Sequence, residues 1–129
     1  MSPNWIAIGA IAMMFAVAIG AFGAHALEGR LDAYSMTIYE RAVFYHFFHA
    51  LGILIVAGLI ATGKLPQAGG AWVCWLLLAG IVLFSGSLYA LALTGQRMLG
   101  AITPFGGVSF IAAWVVLAVT AWRAQPPTP

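Results

Sequence analysis

Two histidines three residues apart, His46 and His49, stand in an otherwise apolar stretch, with Tyr45 beside them and Glu40 and Arg41 just upstream. Residues three apart share a helix face. Imidazole can hold a proton, exchange hydrogen bonds, or ligate zinc, iron or copper. His25, the group Ser85, Ser87 and Tyr89, and Thr103 supply the remaining polar chemistry. These ten residues are the candidate site. A metal would draw on His25, His46 and His49 with Glu40, and a haem would need opposed ligands such as His25 and His46. The histidine pair has no carboxylate on its own face, so the motif is weak and no cofactor or metal is expected. A serine nucleophile lacks both a G-x-S-x-G turn and an orienting acid at readable spacing. Cys74 is the only cysteine, so neither an internal disulfide nor a thiolate cluster can form.

The elements that position these residues follow from composition. Of 129 residues, 64% are hydrophobic and 6% charged, against roughly 25% charged in a soluble domain. A mean hydropathy of +1.03 then makes lipid the main solvent. The five basic residues are scattered, which excludes a nucleic-acid surface. Residues 6–24 carry no charge over 19 positions, or about 28 Å of helix, close to a hydrocarbon core of about 30 Å. Ala24-His25-Ala26 has the form of a signal-peptide cleavage site, but no Lys or Arg precedes the apolar run, so it reads as a span. The interval 26–42 holds five of the eight charges. Its Leu27, Leu31, Tyr34 and Ile38 recur at helical spacing, as in a short amphipathic surface segment. Thr37 with Glu40 forms a capping box that starts the second helix at 38. Gly63 stops it, and Thr103 caps a last helix that opens on Pro104. The expected fold is an all-α membrane protein, one domain of four antiparallel transmembrane helices in a compact bundle. Its helices run over about 5–25, 38–62, 71–93 and 104–123, with the amphipathic segment between the first two and a proline-rich end after 123.

Four spans return the chain to the side it started from, so the chemistry gathers at the opposite face. His25 closes the first helix, Glu40 to His49 open the second, Ser85 to Tyr89 lie near the end of the third, and Thr103 begins the fourth. Were hydrocarbon to begin near Ala42, His46 and His49 would lie about 6 and 10 Å inside it. Ionisable groups at that depth must face protein or trapped water, which predicts a polar pocket at this end of the bundle. Plainer roles compete at each residue: an interfacial His25, a capping Glu40, and serines bonded to their own helix. In the first helix Ala12, Ala16, Gly20 and Ala24 fall four apart and form a seam for another helix. Lys64 and Arg123 flank the terminal side against Arg30, Arg41 and Arg97 on the other, which favours termini outside.

The combination of Gly23-Ala24-His25, Tyr45-His46 to His49, Phe84-Ser-Gly-Ser-Leu-Tyr89 and Ile102-Thr-Pro-Phe-Gly-Gly107 resembles the YgdD/YwdK-like membrane proteins, the DUF-423 family, over essentially the whole chain. The resemblance implies four spans in a bacterial inner membrane, with relatives in mitochondria. That family is catalogued as a domain of unknown function, so no catalytic residues carry over. The residues themselves leave three functions open. The first is binding or passage of a small polar solute or proton through the polar pocket, with passage requiring a homo-oligomer. The second is an accessory subunit of a larger membrane complex, and the third a histidine-metal enzyme or redox protein.

Overall fold

A computed structural model describes residues 2–125; the end of the proline-rich tail, 126–129, lies outside the described residues. The chain forms four long helices: α1 (Trp5–Leu27), α2 (Ala33–Ala61), α3 (Gln67–Thr94) and α4 (Thr103–Arg123). α1, α2, α3 and α4 together with the short turn before it are each long and apolar enough to cross a membrane. Two wide π-helical turns interrupt the regular geometry, one at Gly23–Leu27 in α1 and one at Ile81–Ser85 in α3. A short 3₁₀ turn, Arg97–Ala101, leads into α4.

Helix boundaries differ most from expectation at two starts, those of α2 and of α3, which begins at Gln67 rather than 71. α2 begins at Ala33 rather than 38, because the Asp32 side chain accepts a 2.7 Å hydrogen bond from the Ser35 N–H and caps the helix there. Thr37 lies inside α2 and its hydroxyl donates to the Ala33 carbonyl at 2.8 Å, so it caps nothing. The amphipathic interval therefore splits into a loop and the first turns of a 29-residue α2. At about 43 Å, that helix is longer than the hydrocarbon is thick, and its polar start projects beyond it. Thr103 likewise lies within α4 and pairs with Ser87 instead of capping. At the other end of α2 the expected glycine stop holds, with Gly63 at φ 69° in the left-handed region, and Gly95 at φ 71° ends α3 in the same way without having been singled out in the sequence.

The cap makes a testable prediction. Hydrogen bonds from Ser35 hold the Asp32 carboxyl below its ordinary value of 3.8. A depressed folded value means that the cap acts fully above the ordinary value and is lost as pH falls through the lower, folded one. The Ser35 amide resonance of the wild type is expected to move only as pH falls below about 4, while Asp32→Asn, which caps without titrating, holds it fixed.

Packing proceeds in chain order: α1 lies on α2, α2 on α3, and α3 on α4. Ala16 is wholly buried and Ala12 nearly so. A Cβ on Gly20 would lie 3.2 Å from Val43, so the small-residue seam of α1 is taken up by α2 of the same chain from Ala12 to Gly20, while its fourth member, Ala24, is exposed. The half of the bundle nearer the termini is closed by Ile53, Val56, Val73, Cys74 and Leu77, all at 0% exposure. At its outer end Trp5 stands edge-on to Trp75, ring centroids 5.0 Å apart. The flanks carry exposed Ile11, Phe15, Phe44, Val82 and Ile111, a surface suited to acyl chains and not to water.

Candidate functional site

The polar residues are positioned by where these helices touch, and in a bilayer each buried polar group must find a partner inside the protein. Ser85 is wholly buried in the wide turn of α3, and its hydroxyl donates to the Ala42 carbonyl of α2 at 2.8 Å. Ser87, on the next face of α3, reaches α4 instead: its hydroxyl lies 2.7 Å from that of Thr103 and donates to its own Phe84 carbonyl at 3.0 Å. Further along α3 and α4, the Ser109 hydroxyl donates to the Leu76 carbonyl at 2.7 Å. The Tyr39 hydroxyl donates to the Ile19 carbonyl of α1 at 2.6 Å. A side chain on Gly23 would collide with the Tyr39 ring, which explains the glycine at that position of α1.

His46 is the junction of three helices. Its Nδ1 lies 3.1 Å from the Tyr89 hydroxyl of α3, and His46 lines one groove together with Ala12 of α1. Helical side chains lean toward their own N-terminus, and α2 and α3 run in opposite directions. His46 therefore leans toward the polar face and Tyr89 away from it, so that they meet between the helices. His46 is 5% exposed and borders a groove between α1 and α3 together with Tyr89.

His49 turns the other way. Its Nδ1–H donates to the Tyr45 carbonyl at 2.6 Å, and its ring stacks on Phe110 of α4 with centroids 3.5 Å apart. Tyr45 and Phe84 extend this aromatic group, their centroids 4.4 Å apart. Gly80 leaves the space that Phe110 fills.

The ten candidate residues thus do not share one cavity. The structure brings together His46 with Tyr89, Ser87 with Thr103, and His49 with Tyr45, and sets Ser85 on the α2 backbone. His25, Glu40 and Arg41 are exposed at the rim. Among the described residues, no group of three or more His, Cys, Asp or Glu side chains is placed to hold a metal ion. Sequence reasoning did not single out Tyr39, Phe110 or Ser109 as site residues. Gly23 and Gly80 were the available signals for the first two, since a glycine within a span marks a place where something approaches closely; Ser109 gave none.

Comparison with known proteins agrees with this architecture. A family profile described as "Protein of unknown function (DUF423)" matches residues 19–107, which hold every one of the ten candidate residues. The chain is 48% identical over 121 residues to the UPF0382 membrane protein YwdK of Bacillus subtilis, covering 91% of this chain and 94% of the relative. It is 46% identical over 119 residues to a UPF0382 membrane protein of Staphylococcus haemolyticus, covering 92% and 95%. A third, from Staphylococcus epidermidis, is 50% identical over 115 residues, covering 89% and 92%. No solved structure matches. With four apolar spans in the fold and membrane proteins among its relatives, the chain belongs to the DUF423 family of multi-pass membrane proteins.

Proposed function

We propose that the protein is a binding protein of the bacterial inner membrane, with its termini outside, that holds one small hydrogen-bonding molecule beside His46 and Tyr89. The supporting observation is the side-chain pair itself. Nδ1 of His46 and the hydroxyl of Tyr89 lie 3.1 Å apart at the edge of a groove instead of sealed in the core. Intramembrane polar pairs that border a cavity are where membrane proteins recognise ligands or relay protons. Binding fits better than passage. Ile53, Val56, Val73, Cys74 and Leu77, all wholly buried, fill the path toward the other face. Of the remaining candidates, Ser85, Ser87 and Thr103 bond α3 to its neighbours, and His49 and Tyr45 stack from α2 onto α4 and α3.

The test is to purify the wild type and Tyr89→Phe from bacterial membranes in mild detergent and compare the small molecules that accompany each. Tyr89→Phe removes one oxygen and leaves the ring, so the packing persists. We expect one species to fall by roughly five-fold, which corresponds to a hydrogen bond of about 1 kcal/mol. Indistinguishable profiles from two equally folded preparations would refute the proposal.

A further inference from the structure

We infer that the ligand enters sideways from the bilayer and is a neutral lipid with a free hydroxyl, held with its chain in the groove between α1 and α3 and its hydroxyl on Tyr89. This rests on the binding reading above and adds the chemical class and the route.

The groove measures about 480 Å³, within the range of sites that take a small organic ligand. Its walls are Ile11 and Phe15 of α1 and Val82 and Gly86 of α3. Ile11, Phe15 and Val82 are each more than half exposed, so the groove opens toward acyl chains and not toward either aqueous face. Water would not fill it. A bound water needs two to four polar partners, and beyond His46 and Tyr89 no lining side chain carries a polar atom, so most of the groove offers water none. A hydrocarbon chain suits the walls.

The polar end narrows the choice of headgroup. In one neutral tautomer Nδ1 accepts from the Tyr89 O–H, and in the other its N–H donates to the Tyr89 oxygen. Either way the pair keeps a lone pair on the phenol oxygen and one unshared hydrogen, on the second ring nitrogen or on the phenol. A ligand hydroxyl answers both, donating to the lone pair and accepting the hydrogen. An ester or ketone can only accept. A phosphate or carboxylate head would bring a charge into an apolar groove that no lysine or arginine lines. Diacylglycerols and prenyl alcohols both meet these demands.

The test uses the full chain in phosphatidylcholine liposomes with photoactivatable diazirine probes: a diacylglycerol, the same molecule with its hydroxyl acetylated, a phosphatidylcholine with the same acyl chain, and farnesol. Cross-linked peptides are mapped by mass spectrometry. The expected result is labelling of residues 8–19 and 78–86 by a hydroxyl probe about five-fold above the acetylated one. Tyr89→Phe is expected to remove that preference. Gly86→Leu is expected to abolish the labelling by filling the groove, since a Cβ there meets nothing closer than the Ile81 carbonyl oxygen at 3.9 Å and the helix itself is undisturbed. Whether diacylglycerol or farnesol labels more strongly identifies the source of the hydroxyl, and either supports the inference. Equal labelling by the acetylated probe reduces the groove to a non-selective acyl slot, and stronger labelling by phosphatidylcholine means recognition of a charged head. Cross-links to a second copy of the chain mean that protein fills the groove. Each of these three overturns it. If a co-purifying molecule is lost in Tyr89→Phe while no hydroxyl preference is found, the lipid class is wrong and the binding reading stands; if neither occurs, both fall.

Discussion

Replacing Gly106 by valine is expected to destabilise the protein more than removing any hydroxyl of the polar layer. A Cβ at position 106 would sit 2.7 Å from the Phe84 Cα and closer still to its amide nitrogen. The obstacle is backbone, which cannot swing aside as a side chain does. α4 must then move off α3 at the wide turn Ile81–Ser85, where Phe84 and Ser85 make their contacts. Overpacking of this kind costs about 3 kcal/mol at its upper range, which lowers the folded-to-unfolded ratio by roughly a hundred-fold. Denaturation by added SDS in mixed micelles measures this. Gly107→Ala is the matched control, because a Cβ there finds only Phe84 ring atoms at 3.9 and 4.0 Å, ordinary contact. Equal resistance of the two variants would mean that α3 and α4 do not approach as closely as described.

That glycine pair is part of the Ile102-Thr-Pro-Phe-Gly-Gly107 motif, and it illustrates what the sequence can and cannot reveal. The spans were legible because lipid imposes a strong rule: uninterrupted apolar length. Of the seam Ala12, Ala16, Gly20 and Ala24, the first three were legible for a similar reason, since close helix pairs need small residues at helical spacing, and the spacing alone carried the pattern one turn too far, to the exposed Ala24. The start of α2 was not. Outside the hydrocarbon neither hydropathy nor a capping motif is decisive, and Asp32 competes with Thr37 on equal terms until the Ser35 amide is located. The histidine pair was legible as intramembrane and polar, but not in its partners. Residues three apart on a helix differ by about 60° around its axis. That small angle sends His46 to Tyr89 and the groove, and His49 to Phe110 of α4. The wide turns are invisible for a further reason. The one in α3 lies where that helix meets two neighbours at once, with Ser85 facing α2 and Ser87 facing α4, and no local residue pattern records that geometry.

Ala42→Leu is expected to have the next largest effect, and it separates packing from hydrogen bonding as the force that holds the layer. Ala42 is wholly buried in a cluster with Tyr39 and Leu88, and its carbonyl receives the Ser85 hydroxyl. Leucine adds three carbons where no space remains, forcing α2 and α3 apart at about 2–3 kcal/mol. Ser85→Ala removes only the hydrogen bond. Between membrane helices such bonds average about 0.6 kcal/mol, because the separated helices also find polar partners. SDS titration should therefore place Ser85→Ala close to the wild type and Ala42→Leu far below it. Equal losses would show that the hydroxyl, and not the close approach of the backbones, joins the two helices. The order matters for function. If steric fit sets the positions of α1, α2 and α3, then Tyr89→Phe leaves the groove standing and changes only what its polar end can recognise. A hydroxyl-deletion variant of that kind reports on ligand binding instead of on folding.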